Sequence, residues 1–341
     1  MSKNRPYLVV IIAILLSTLC GGVYFFYLQQ QQQQQQPAAK IIWGWNEGVG
    51  SLPFLIAYEQ GFFKEEGLEV TPVKEDSYTT MLTDLKKGKI DFSGNISLID
   101  VIGGGYKGDG LFIIGVSNYS AGANFILAKN SIKNLSELSG KKVGVERGAI
   151  EEFLLSYALS KQRMSLLDIH EVDIAAQNAI QALKDGLVDA VVAYEPISAE
   201  EIAAADSYKI FTSAEAPGLV TNTVVFNSAF LSKNPQIAKA VLRAYFKSID
   251  LIVNNRALAY MIGAKYFKIT PYEFQQSLAG LKFLDEKENN TALSHMGGNE
   301  SLYANSKLIV NFLREHGIIT NEIDIEKFIR RQFFKEVYGG G

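Results

Sequence analysis

Between residues 40 and 234, short apolar runs alternate with amphipathic stretches in two successive sets, a pattern that points to βαβ units around mostly parallel sheets. Residues 40–45 read as a first strand. Residues 52–65 carry Leu52, Leu55, Ile56, Tyr58 and Phe62 at helical spacing and stop near Gly67, after which residues 68–73 alternate as a second strand. A helix over 79–87 ended by Gly88, a strand over 90–93, a helix over 98–104 and a strand over 111–117 complete the set. The second set begins near Ala123, with strands expected at 125–128, 142–145, 170–172, 190–193 and 224–227 and helices at 150–161 and 177–184. From Pro235 the pattern is helical almost to the end, with no strand expected, and 237–253 is its clearest amphipathic piece.

Two such sets imply two lobes. The expected division is residues 40–122 for the first lobe, 123–224 for the second, and 225–341 for a return to the first lobe and C-terminal helices. The chain then crosses between lobes near residues 119–125 and again near 219–226. A ligand belongs in the cleft between them, outside the carboxyl ends of the strands, where loops and helix N-termini converge.

Ahead of this region, residues 1–39 run from a basic head with Lys3 and Arg5, through an apolar stretch over 7–28, to glutamines at 29–36 and Pro37-Ala38-Ala39. At about 1.5 Å per residue the apolar stretch reaches roughly 33 Å as a helix, enough to cross a bilayer core of about 30 Å. Both charges of the head precede it, so the positive-inside rule places the bulk of the chain outside the cytoplasm on a tether. Two other readings stand beside an uncleaved anchor: a cleaved signal segment, for which no small-residue site is evident, and lipid attachment at Cys20, which bulky Leu19 disfavours. In each case the glutamines serve as a polar spacer.

Composition removes several function classes. A formal net charge of −3 with scattered Lys and Arg lacks the footprint of a nucleic-acid binder. Cys20 is the only cysteine, so the exported part carries no disulfide. His170, His295 and His316 stand apart from any partner at metal-ligand spacing, and neither a metal nor another cofactor is expected. Ser/His/Asp and Cys/His sets, a P-loop and GxGxxG are all missing, which argues against an enzyme.

Four stretches, LPFLIAYEQGFFKEEGLEV (52–70), LKKGKIDFSGN (85–95), LSELSGKKVGVERGAIEEFLL (135–155) and ALKDGLVDAVVAYEP (182–196), together resemble the substrate-binding proteins of ABC importers for nitrate, sulfonates, taurine and bicarbonate, relatives of the thiamine-pyrimidine binding proteins. The resemblance runs from about residue 40 to about 284. It implies a two-lobed periplasmic-binding-protein fold of the type with two crossovers, each lobe a mostly parallel sheet flanked by helices, closing like a hinged clamp. It also implies a small-molecule ligand and, as partners, an ABC permease and its ATPase.

Candidate ligand residues follow from strand ends and helix starts. Trp45, Asn46, Glu47 and Gly48 follow the first strand, and Gly94, Asn95, Ile96 and Ser97 the third, so both segments are expected as loops facing the cleft. Arg147, Gly148 and Ala149 precede a helix starting near Ile150, whose N-terminal amides suit an anion. Ala149 departs from the Ser or Thr common in sulfonate-binding relatives, and Arg147 could supply the missing donors. Tyr194-Glu195-Pro196 matches an aromatic-acid-Pro element of the family. By that resemblance Glu195 meets an amino group of the ligand, while a plain helix-start role for it is an equal alternative. Trp43 and Trp45 share a strand face, with core packing expected for Trp43. Hinge freedom is expected over 118–124 and 217–222, and Ser120 in the first of these is counted among the ligand-binding residues. The function expected is capture of a small organic solute, sulfonate-like, taurine-like or zwitterionic. The alternatives are a tethered sensor or assembly module on the same fold and, further off, pyrimidine-precursor binding or synthesis, for which His170 is the sole catalytic candidate.

Overall fold

The computed structural model describes residues 38–46, 48–76, 78–105, 110–195, 197–296, 298–320 and 322–339. The expected membrane segment and glutamine run therefore lie outside the described residues. Among the described residues, no helix is long and apolar enough to cross a membrane.

Two sheets organise the chain. The first has the order β11-β4-β10-β3-β1-β2, built from β1 (Ala39–Trp45), β2 (Leu68–Lys74), β3 (Phe92–Ser97), β4 (Leu111–Ser120), β10 (Thr221–Asn227) and β11 (Leu281–Phe283). The second has the order β7-β6-β8-β5-β9, built from β5 (Asn124–Lys129), β6 (Lys142–Val145), β7 (His170–Asp173), β8 (Ala190–Tyr194) and β9 (Ser207–Thr212). β1 pairs parallel with β2 and β3, and β6 parallel with β7 and β8. The remaining ladders are antiparallel: a strand adjoining a crossing, β10 in the first sheet and β5 in the second, is inserted against the common direction, and the edge strand β11 runs antiparallel to β4. The expected mostly parallel sheets are thus mixed in their hydrogen bonding.

Three local expectations need correction. β3 begins at Phe92, not at Ile90, and continues to Ser97, so Asn95 and Ser97 belong to the strand. The tight turn after Gly88 uses up Ile90 and Asp91, whose Oδ2 accepts from the Ile42 amide at 2.7 Å. β9 and β11 are the other two: β9 was not expected, and the three-residue β11 lies in the part read as purely helical, too short to show a period.

Packing explains why the first lobe is the larger. Trp43, Phe54, Phe63, Phe92 and Tyr245 form an aromatic cluster between the first sheet and the helices Leu52–Glu59 and Pro235–Asn254, with ring centroids 5.4 to 6.5 Å apart. Each buried ring contributes roughly 2–3 kcal/mol. Tyr245 ties the cluster to the crossing strand by donating to the carbonyls of Ser117 and Leu284 at 2.6 and 2.9 Å. Gly94 permits the close contact, since a Cβ there would lie 2.0 Å from the Phe54 ring.

The two crossings are clasped together. Residues 121–123 carry the chain from β4 to β5, and 213–220 carry it back from β9 to β10. Ser120 and Ser213, both buried, join their hydroxyls at 2.7 Å, and Ser213 Oγ also accepts from the Gly122 amide at 2.7 Å. Gly280 completes the clasp. Its φ of +77° and a phantom Cβ 2.4 Å from the Ala123 nitrogen leave room for no side chain.

Candidate functional site

At the carboxyl ends of β1, β3 and β4, three asparagines form a ladder. Asn222 Nδ2 donates to Asn118 Oδ1 at 2.9 Å, and Asn118 Nδ2 donates to Asn95 Oδ1 at 3.2 Å and to Ser117 Oγ at 3.1 Å. Asn118 is fully buried, so its amide is held by neighbours on both sides. Gly50 lets the turn after β1 close over the ladder: a Cβ there would meet Asn95 Oδ1 at 2.2 Å and Asn118 Nδ2 at 2.8 Å. Asn46 completes that turn, its Oδ1 accepting from the Gly48 amide at 3.3 Å.

Ser97 shares the face of Asn95 by the two-residue period and stands opposite Asn222 in the ladder with β10. It also precedes the helix Leu98–Gly105, in which Asp100 occupies the third position, the spacing of a capping box. Here a tyrosine is inserted into the box. The Ser97 amide donates to the Tyr78 hydroxyl at 2.9 Å, and that hydroxyl donates to Asp100 Oδ2 at 2.8 Å. Burial raises the Asp100 carboxyl above its ordinary range and the Tyr78 phenol well above its own.

The second lobe faces this wall with acids. Glu146 follows β6, and its Oε2 accepts from the Ala176 amide at 3.0 Å. Glu151 and Glu152 lie in the first turn of the helix Ile150–Ser160, a place the helix dipole favours for acids. Glu151 is 5% exposed, and burial, helped by the charges of Glu146 and Asp100, takes its carboxyl up to about 7. The charge of Glu146 raises the Asp100 carboxyl and that of Asp100 raises the Glu151 carboxyl, in each case less than burial does. Tyr194, at the end of β8, belongs to the same group, its phenol raised by burial and then by Glu151 and Glu146.

The anion site expected at residues 147–149 has a different use. Gly148, left-handed at φ +73°, donates its amide to Glu152 Oε2 at 2.6 Å, so an internal carboxylate already fills the helix start, while Ala149 caps it without a side-chain bond. The Arg147 amide donates to Asp173 Oδ1 at 3.3 Å, and its Nε lies 3.8 Å from Glu171 Oε2. Beyond Glu152 stands His316, whose Nε2 is 3.9 Å from Glu152 Oε1 and whose Nδ1 donates to the Phe312 carbonyl at 2.7 Å. Phe312 meets Phe153 at 5.3 Å, so the helix Leu302–Glu315 packs against the second lobe at this edge of the cleft.

The sequence candidates therefore separate. Asn95 and Ser97 lie together on β3, with Ser97 opposite Asn222 and Asn46 in the turn after β1, while Tyr194 ends β8 in the second sheet. Trp45 is 6% exposed, stacked on Trp43 at 6.0 Å and edge-on to Tyr266 at 5.5 Å, and so packs in the core instead of covering a ligand. Ser120 is spent on the crossover clasp. Glu195 pairs with Lys209 at 2.7 Å and accepts from the Ile197 amide at 2.7 Å, while the helix that follows, Ala199–Ala204, is capped by Ser198 and not by Glu195. Glu47 and Pro196 lie outside the described residues. Sequence reasoning missed Tyr78, Asp100, Asn118, Asn222, Glu146 and Glu151. The Ser97-x-x-Asp100 spacing and the polar Ser117-Asn118 inside an apolar strand were the available signals.

Two α/β sheets joined by two crossings, with an asparagine ladder at the strand ends, define a fold of the periplasmic binding-protein class. The chain belongs to the NMT1/THI5-like family, whose model matches residues 49–259. A Bacillus subtilis protein named for binding aliphatic sulfonates is 28% identical over 204 residues, covering 58% of this chain and 61% of that protein. A 4-amino-5-hydroxymethyl-2-methylpyrimidine phosphate synthase of Aspergillus parasiticus is 22% identical over 233 residues, covering 63% of this chain and 67% of that enzyme. Among solved structures, the periplasmic aliphatic sulphonate binding protein SsuA of Escherichia coli superposes with a TM-score of 0.70 at 17% identity, covering 87% of this chain and 99% of that one. The periplasmic nitrate-binding protein NrtA of Synechocystis gives 0.62 at 15%, covering 89% of both. The desulfurization enzyme DSZB shares the fold at 0.61 and 13%, covering 88% of this chain and 99% of the enzyme, so the architecture accommodates chemistry as well as binding.

Proposed function

We propose that this chain is an extracytoplasmic solute-binding protein that captures a small organic solute between its lobes and delivers it to an ABC permease and ATPase. One observation carries the reading. Two sheets are joined by a double crossover that Ser120 and Ser213 clasp, with a hydrogen-bonded asparagine ladder at the strand ends beside it, so a ligand touching both lobes there would favour closure. The sulfonate- and nitrate-binding relatives support a transport role over a catalytic one. We read the chain as tethered through residues 7–28, which keeps it at the membrane where an importer works.

Among the solutes named for its relatives, a sulfonate would need a receiving site other than the helix start at Ile150, because Glu152 occupies the Gly148 amide there. Thermal melting of the purified full chain in mild detergent tests the proposal against taurine, alkanesulfonates, aminopyrimidines, amines, nitrate and bicarbonate. A ligand that binds the folded state raises the midpoint. At least one solute is expected to do so. A flat response from folded protein across the panel contradicts solute capture of this kind.

A further inference from the structure

One helix, Leu302–Glu315, touches the first lobe, the second crossing and the second lobe. Just ahead of it, the Tyr119 hydroxyl at the end of β4 donates to the Glu300 carbonyl at 2.8 Å. Asn305, which is buried, donates through Nδ2 to the Gly218 and Leu219 carbonyls of the second crossing at 2.7 and 3.0 Å. Leu313 seats the helix on the first lobe's helix Leu98–Gly105, where a Cβ at Gly103 would lie 3.4 Å from Leu313 Cδ1. The helix is thus fixed to the first lobe and to the crossing.

Its far end meets the second lobe. Phe312 packs edge-on against Phe153 at 5.3 Å, and each ring is 3% exposed. His316 Nδ1 donates to the Phe312 carbonyl, which leaves Nε2 facing Glu152 Oε1 at 3.9 Å. Ile318 comes next, its Cδ1 3.7 Å from where a Cβ on Gly148 would stand. Phe312 lies seven residues past Asn305, roughly 10 Å along the helix. A hinge rotation that carries the second lobe away therefore pulls Phe153 from Phe312 and exposes both rings to water.

We propose that residues 312–318 form a latch, which holds the second lobe against the first when the cleft is empty and lets go when the lobes swing apart. The proposal deepens the solute-capture reading and rests on it. Two buried rings resist separation through the apolar area they bury and through their edge-on contact. His316 sets an imidazole beside the buried Glu152, the same carboxylate that fills the helix start at Gly148. A chain already closed binds more tightly any solute that prefers the closed form, so the latch sets apparent affinity from outside the strand-end site.

The test uses the full chain in mild detergent with no solute. Spin labels at Leu167→Cys in the second lobe and Tyr272→Cys in the first, in a Cys20→Ser background, report the spacing of the lobes by pulsed electron resonance. Phe312→Ala and Phe153→Ala are each expected to raise the ratio of long to short distances about tenfold. Their combination should do no more than either alone, because both remove one contact. His316→Gln, a change at a half-buried edge that spares the rings, should raise the ratio about twofold, and it decides the matter if the alanine variants fail to fold. An unchanged or shortened distribution in these variants overturns the latch, as does a double variant in which the two alanine effects multiply. Because no solute is present, that failure leaves solute capture standing; capture falls instead to a flat response across the melting panel.

Discussion

The two walls of the cleft are built on opposite plans. The first lobe presents Asn95, Asn118 and Asn222, neutral amides that hold one another at fixed distances beneath Gly50. The second presents Glu146, Glu151 and Glu152, of which Glu151 is buried and has its carboxyl raised by that burial and then by the charges of Glu146 and Asp100. Hydrogen-bonded amides cost little to bury, whereas burial disfavours the charged form of a carboxyl.

The largest effect is expected where the neutral wall is tightest. Gly50→Val drives a side chain into Asn95 and Asn118 and should cost roughly 3 kcal/mol or more, seen in denaturant melts as a lowered midpoint at every pH. A change under 1 kcal/mol would show that the ladder yields.

Glu151→Gln should act in the opposite direction and only at higher pH. The folded-state carboxyl is raised to about 7, so the favourable protonated form contributes stability below the unfolded value near 4.5 that is lost as pH rises through about 7. The variant should match the parent near pH 4.5 and exceed it by up to about 3 kcal/mol above pH 8 in paired melts. A pH-independent difference would remove the contrast between the walls.

Asn118→Ala should cost about 2 kcal/mol without pH dependence, because it leaves the Asn222 donor and the Asn95 acceptor unmet inside the lobe. Smallest of all, Lys209→Met should cost roughly 1 kcal/mol and leave solute affinity within about twofold, if Lys209 and Glu195 only fasten β9 beside β8. A larger loss of affinity would return Glu195 to the ligand.

The repeated βαβ units, most strand positions and the crossing regions were legible because period and glycine punctuation are local. β11 was not, since three residues show no period. Trp45 misled because a strand's end does not reveal which face bears the helices; Phe54, Phe63 and Tyr266 claimed that face for the core. The acidic wall was invisible for a different reason. Glu146 and Glu151 lie over forty residues from Asp100 in sequence and influence its charge only in the folded chain, so nothing local marks them as a set. Glu152 likewise read as helix-start charge, and only the fold shows it occupying the donor an outside anion would need.

The most direct test of the central claim is the distance between lobes with and without solute. Spin labels at Leu167→Cys in the second lobe and Tyr272→Cys in the first, both exposed sites, in a Cys20→Ser background, report that distance by pulsed electron resonance. With a solute from the melting panel at saturation, the account expects one shorter, narrower distribution in place of a broader one. An unchanged distribution while calorimetry shows that solute bound would contradict a protein that closes on its ligand between two lobes.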